Sequence, residues 1–157
     1  MYPQTHFLVP FVLAEILVKL GLFNHKLALI AGVVGVIIDL DHYLHRIIIH
    51  HDFSVKSAWN KAILQHDIHG ERTFIHHWGG LIVITSILLA FVFFSWHISM
   101  ALFLGYYSHL FLDGLHIHIK KRWKFKEGGL IFRIPIYEII LDIILVLFAL
   151  LLNNLSI

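Results

Sequence analysis

Long apolar runs separated by short clusters of polar residues dominate the chain, and five of them stand out: 7–23, 27–44, 78–96, 98–115 and 134–152. Pro10, Glu15 and Lys19 interrupt the first run, and Glu15 and Lys19 stand four apart, the spacing that pairs side chains on one helical face. The second run is apolar for twelve residues, to Ile38, and continues as Asp39-Leu40-Asp41-His42-Tyr43-Leu44. Against the roughly 20 residues a crossing helix needs, that core is short. It spans only if its polar end is buried against other helices, and is otherwise re-entrant. The third run carries no charge; the fourth holds His109 and Asp113, and the fifth Glu138 and Asp142. The expected fold is therefore all-α: one domain over 1–157, an integral membrane bundle of about five helices, four of them full spans.

Turn chemistry supports an antiparallel bundle. Gly21-Leu22-Phe23-Asn24 suits the end of one helix and the start of the next. Only a few residues around Ser95 to Ser99 separate the third and fourth runs, so these should be adjacent and antiparallel. Two polar segments remain, 45–77 and 120–133. In the first, Ser54 is placed to cap a short amphipathic helix showing Val55, Trp59, Ala62 and Ile63 on one side. The second fits a hairpin or an interface-hugging loop.

Composition agrees with a lipid environment: 59% of residues are hydrophobic and 14% charged, against about 45–50% and 25% in soluble domains. A net charge of +2 implies no general attraction to nucleic acid. The absence of cysteine excludes disulfides and thiolate metal sites. The first run lacks the basic lead and small-residue cleavage site of a secretory signal, and reads as a retained span. If all five runs cross, ten of the twelve lysines and arginines fall on one side, together with the N-terminus, and only Lys19 and Lys26 on the other. The positive-inside rule puts the basic side in the cytoplasm.

The same topology gathers the ionisable groups. The chain has fourteen histidines. His6 opens the first helix on the basic side; Asp39, Asp41 and His42 end the second there, and His76 and His77 begin the third. His109, Asp113 and His116 line one stripe of the fourth. Asp39 and His42 share a face, whereas Asp41 on a regular helix points elsewhere. Ionisable groups within apolar helices are costly and mark a pathway, a cavity or a partner. Imidazole with carboxylate is a donor set for Zn, with Mn and Fe as alternatives, as one ion or two. The metal would offset the burial of several carboxylates. The expected ligands are His6, Asp39, His42, His76, His109 and Asp113. Individually, His25 and His97 read as interfacial residues, His50, His51, His66 and His69 as solvated ones, and the 120–126 basic run as a headgroup-facing patch. Glu138 and Asp142 suit function and structural pairing equally.

These motifs resemble those of the YdjM-like family of membrane-bound metal-dependent hydrolases. Thr5-His6, Asp39-Leu40-Asp41-His42, Arg72-Thr73-Phe74-Ile75-His76 and Ser108-His109-Leu110-Phe111-Leu112-Asp113 match the family's elements in order. The chain departs from that pattern with Glu71 where the family has a histidine, and Ile75 where threonine is frequent. The resemblance implies a metal site more firmly than a particular reaction.

The function expected first is an interfacial hydrolase of a lipid or phosphoester substrate. Asp41 or Glu71 would act as base or orient a ligand imidazole, Arg72 would stabilise a phosphoryl oxygen, and Ser108 would donate a hydrogen bond. A metal-ion or proton transporter using the same cluster is the alternative, although such sites lie near the membrane midplane. A haem-binding or assembly role is a third reading, and the acids mixed among the histidines favour a harder metal.

Overall fold

The computed structural model describes residues 1–51, 53–54, 74–123 and 135–154. Among these there is no strand. The helices are α1 (Pro3–Lys19), α2 (His25–Ile37), α3 (Leu40–His50), α4 (Trp78–Phe91), α5 (Trp96–Trp123) and α6 (Ile136–Asn154), with a 3-10 turn at Phe74–His76. The amphipathic helix expected beyond Ser54 lies outside the described residues. Of the loop or hairpin expected at 120–133, residues 120–123 instead continue α5, and the rest lies outside the described residues.

Helix α1 stops as its sequence dictates. Gly21 adopts a left-handed φ of 73°, Leu22 N donates to Leu17 O at 2.9 Å, and Gly21 N donates to Val18 O at 3.0 Å. This is a Schellman cap, which satisfies carbonyls that a helix end leaves bare. Asn24 then starts α2, its side chain accepting from Leu27 N at 3.0 Å. Glu15, two per cent exposed, is partnered across this turn by His25 Nδ1 at 2.9 Å. His25 is thus the companion of a buried acid as well as a residue at a helix end.

Small residues on α2 draw the bundle together. Leu27, Ala28, Ala31, Gly32 and Gly35 are its buried face, and that face meets α1 and α5. A side chain at Gly35 would run into the backbone carbonyl of His6 and the ring of Pro10. The close approach brings the start of α1 against the end of α2. Such small-residue faces let helix backbones approach closely where lipid supplies no hydrophobic drive between helices.

The helical path of α2 does not stop for good at Ile37, ahead of the polar residues. It tightens at Ile38 and Asp39, where Asp39 N bonds Val36 O at 3.1 Å and Asp41 N bonds Ile38 O at 3.3 Å, and resumes as α3. The 25-residue apolar stretch His25–Ile49 and the 19-residue α6 are long and apolar enough to cross a membrane. The uncharged run 78–96, by contrast, is helical only to Phe91. A turn follows, with Phe94 N and Ser95 N both bonded to Phe91 O at 3.0 Å, and α5 begins at Trp96. Helices α4 and α5 pack side by side as the short connection requires, joined by Ser99 Oγ to Leu88 O at 2.6 Å and by Thr85 Oγ1 and Tyr107 Oη at 2.6 Å.

Candidate metal centre

Four separate stretches of chain supply the centre. Thr5 and His6 come from the first turns of α1, Asp39, Asp41 and His42 from the α2–α3 junction, His76 from the 3-10 turn, and His109 and Asp113 from one stripe of α5. The 3-10 turn is held in place by Tyr106, whose hydroxyl donates to Ile75 O at 3.1 Å. The tightened turns at 38–41 account for the behaviour of the Asp-x-Asp-His run. A 3-10 turn widens the angular step between residues, from about 100° to about 120°, so that residues two apart lie closer to one face, and both Asp39 and Asp41 then reach the cluster that a regular α-helix would present to only one of them.

Asp113 is the hub. Its Oδ1 lies 3.2 Å from His6 Nε2, and its Oδ2 lies 3.3 Å from His109 Nε2 and 3.4 Å from His76 Nε2. Asp39 approaches from the far side, with Oδ1 3.6 Å from His109 Nε2 and Oδ2 4.0 Å from His6 Nε2. The Nε2 atoms of His76 and His109 are 3.0 Å apart. Donors held about 2.0–2.1 Å from one tetrahedral ion are separated by about 3.3 Å, a value that the 3.2, 3.3 and 3.4 Å spacings about Asp113 come close to. His6, Asp39, His109 and Asp113 each offer an atom within 4.8 Å of the others, and so do Asp39, His42 and His76. The six residues expected as ligands therefore fall into two groups sharing Asp39, and either group could hold a metal ion.

The donor chemistry fits a divalent cation. His6 is fully buried, its ring stacked on that of His109 at a centroid distance of 4.0 Å. Its Nε2 faces Asp113 Oδ1 at 3.2 Å, and its Nδ1 meets no hydrogen-bond partner among the described residues. A buried imidazole without such a partner is costly unless something else takes its lone pair. His109 is oriented from behind by Gly35, its Nδ1 2.7 Å from that residue's carbonyl oxygen. His76 Nδ1 faces Asp41 Oδ2 at 3.4 Å. Both arrangements match the way metal-bound histidines are held through their other ring nitrogen. His42 lies nearer the rim, with Nε2 3.9 Å from Asp41 Oδ1 and its ring 4.8 Å from that of His76.

His76 lies ahead of α4, outside the apolar helix. Burial alone would lower the pKa of its imidazole, but the carboxylates of Asp113 and Asp41 outweigh that effect and raise it from 6.5 to about 9. At neutral pH the metal-free cluster thus carries a proton on His76, shared toward acceptors that include the Nε2 lone pair of His109.

The remaining expected residues fall elsewhere. Ser108 donates its hydroxyl to Leu104 O at 2.5 Å, within its own helix. Glu71 and Arg72 lie outside the described residues. His116 shares the helical stripe of His109 and Asp113 but joins a different cluster, with Nδ1 3.2 Å from Glu138 Oε1 and 2.7 Å from Tyr137 Oη. In that cluster Glu138 Oε2 accepts from Tyr2 N at 3.0 Å, and Asp142 Oδ1 accepts from Thr5 Oγ1 at 2.7 Å. The two α6 acids thus grip the start of α1, immediately before His6. Tyr106 and the Gly35 carbonyl were not singled out from the sequence. The signal that could have found the latter is the spacing of Ala28, Ala31, Gly32 and Gly35 on one helical face.

No family model, curated protein or solved structure matches the chain.

Proposed function

We propose that the chain is a membrane-embedded, metal-dependent hydrolase of the YdjM-like type, with its site at the cytoplasmic interface and a lipid or other phosphoester as substrate. The observation that carries this reading is the convergence of three histidine Nε2 atoms on one carboxylate, at 3.2, 3.3 and 3.4 Å. Zinc is the first candidate for such nitrogen and oxygen donors, in preference to Mn or Fe.

The exposed residues support a membrane setting. Ile136, Ile140, Ile143, Ile144, Leu147 and Leu151 of α6 are each more than half exposed, far more apolar surface along one helix than a water-soluble monomer tolerates. Helices α1, α2, α4, α5 and α6 are taken as the five crossings.

Bound at the cluster, the ion would supply Lewis acidity toward a phosphoryl oxygen and make water a competent nucleophile near neutral pH. The protein does the rest. Gly35 and Asp41 hold the imidazoles of His109 and His76 in the orientation that turns Nε2 inward. Asp41, between His42 and His76, is placed to take a proton from the attacking water. Arg72, by its place in the motif, serves the phosphoryl oxygens, and Glu71 shares the base role. Ser108 has no part in this scheme, because its proton is committed to Leu104.

The test is elemental analysis of the purified protein by mass spectrometry, wild type beside Asp39→Ala and His109→Ala, followed by a phosphoester panel. Stoichiometric metal lost in both variants, with hydrolysis by the wild type alone, is expected. A folded wild type that takes up neither Zn nor Mn would overturn the reading. Metal-dependent uptake into vesicles without hydrolysis would reassign the cluster to transport.

A further inference from the structure

Beside the metal cluster, between the start of α4 and the middle of α5, lies a groove of about 270 Å³. Trp78, Leu81, Leu110 and Ile117 supply apolar walls, and His76 and Asp113 contribute to the same lining. Both are members of the cluster, so one continuous surface runs from the metal donors onto hydrocarbon. Trp78 is 75% exposed, at the end of α4 where tryptophan suits a headgroup boundary. A water-soluble phosphoester would use the polar part of this surface and leave its apolar walls wet.

We infer that the groove holds the alkyl chain of an amphiphilic phosphate ester whose phosphate lies against the His/Asp cluster. This rests on the metal-site reading above and narrows its substrate to lipid-like phosphoesters. The occupant follows from the lining: the cluster to which His76 and Asp113 belong, once it holds its cation, takes the anionic head, and the apolar walls exclude a second charge. Each methylene buried there adds affinity, so chain length should govern binding.

Gly114 offers a clean way to close the groove. It belongs to the groove lining, and a Cβ placed on it meets nothing within 4 Å. Gly114→Leu therefore adds an apolar side chain to this lining without a clash at its Cβ, and within a helix it replaces glycine by a better helix former. Metal binding should be untouched.

The experiment uses the full chain in amphipol with 12-bromododecyl phosphate, whose bromine quenches tryptophan on contact, and butyl phosphate measured by calorimetry. Saturable quenching is expected in the wild type, with butyl phosphate at least about 10-fold weaker. Trp78→Phe should remove most of the quenching. Gly114→Leu should weaken the long-chain ligand about 10-fold or more while leaving butyl phosphate and metal content unchanged. Ile117→Phe, which narrows the same groove, should act alike and guards against a folding defect in the first variant. Equal affinity for the two phosphates, or equal long-chain affinity in wild type and both groove variants, would overturn the inference while leaving a measured metal content intact. Chain-length selectivity lost in Gly114→Leu, in a protein that holds no metal, would instead support the groove and sink the hydrolase.

Discussion

The Nδ1–H of His109 donates to the carbonyl oxygen of Gly35 across a distance of 2.7 Å. A carbonyl can only accept, so this bond fixes the tautomer and leaves the Nε2 lone pair toward Asp39 and Asp113. The same glycine abuts the backbone carbonyl of His6. One residue of α2 thereby sets both the distance to α1 and the aim of the His109 imidazole on α5. A position without a side chain is part of the site's construction.

Gly35→Ala should consequently damage stability and site together. Its methyl group has nowhere to go but into the His6 backbone, and overpacking of this kind costs about 1–3 kcal/mol. We expect a lower unfolding temperature and weaker zinc binding in the same variant. Unfolding and zinc titrations indistinguishable from wild type would mean that α1 and α2 are less closely apposed than described.

Asp41→Asn tests the outer support of His76. The amide keeps the size of the side chain but loses its charge. Metal affinity should fall by about 10–100-fold, the range for removing a partner of a metal-bound histidine. Stoichiometry should be retained, since His6, Asp39, His109 and Asp113 remain. A variant that binds no metal at all would show Asp41 to be a ligand itself.

The raised pKa of His76, about 9, gives the site a definite pH dependence. Because the folded value lies above the unfolded 6.5, the protonated group stabilises the metal-free protein fully below pH 6.5, and this contribution fades as pH rises through 9. Metal needs the neutral ring, so binding must expel the proton. Apparent zinc affinity should climb from pH 6.5 toward 9, with proton release detectable by calorimetry in buffers of different ionisation enthalpy. His76→Ala should flatten that slope, and an unchanged slope would assign the released proton to another group.

Much of this centre was legible from periodicity and motif. The i, i+4 pair of His109 and Asp113 needs only a regular helix to share a face, and α5 is one. His6 and His76 were legible because topology placed both at the same end of the bundle. Asp41 was harder, because its direction depends on the tightened turns at 38–41, which no spacing rule for regular helices contains. The break after Phe91 was missed for a related reason. Residues 92–94 are as apolar as those before them, and hydropathy does not register that Phe91 O captures the amides of Phe94 and Ser95. The grip of Glu138 and Asp142 on α1 was out of reach, since it joins residues 136 and 137 positions apart in sequence.

That grip makes its own prediction. Thr5 Oγ1 donates to Asp142 Oδ1 at 2.7 Å, one residue before His6. Thr5→Val and Asp142→Asn should each cost about 0.5–1.5 kcal/mol. The double variant should cost less than their sum, as residues sharing one hydrogen bond are coupled. Zinc affinity should decline in step, because the start of α1 carries His6, a candidate ligand. Strict additivity in the double-mutant cycle would remove the contact from consideration.

The direction of the bundle can be checked by cysteine labelling, because the chain has no cysteine of its own. A reporter at the C-terminus alone is insufficient. Helices α4 and α5 are joined by a tight turn, so if the pair dipped into the membrane and returned without crossing, the C-terminus would stay on the same side. The turn itself must be probed. Phe94 is 85% exposed in it, and Leu22 is 57% exposed in the α1–α2 turn. On the proposed topology of five crossings, ten of the twelve lysines and arginines would share the site's side, and the positive-inside rule would then put both turns outside the cell. Phe94→Cys and Leu22→Cys should therefore react with a membrane-impermeant maleimide on intact cells. Labelling of Leu22→Cys alone would make α4 and α5 a re-entrant pair, which fits the 14-residue length of α4, equal to about 21 Å of helix against a hydrocarbon core of about 30 Å. Labelling of neither, until the cells are opened, would invert the protein and move the metal centre to the outer face.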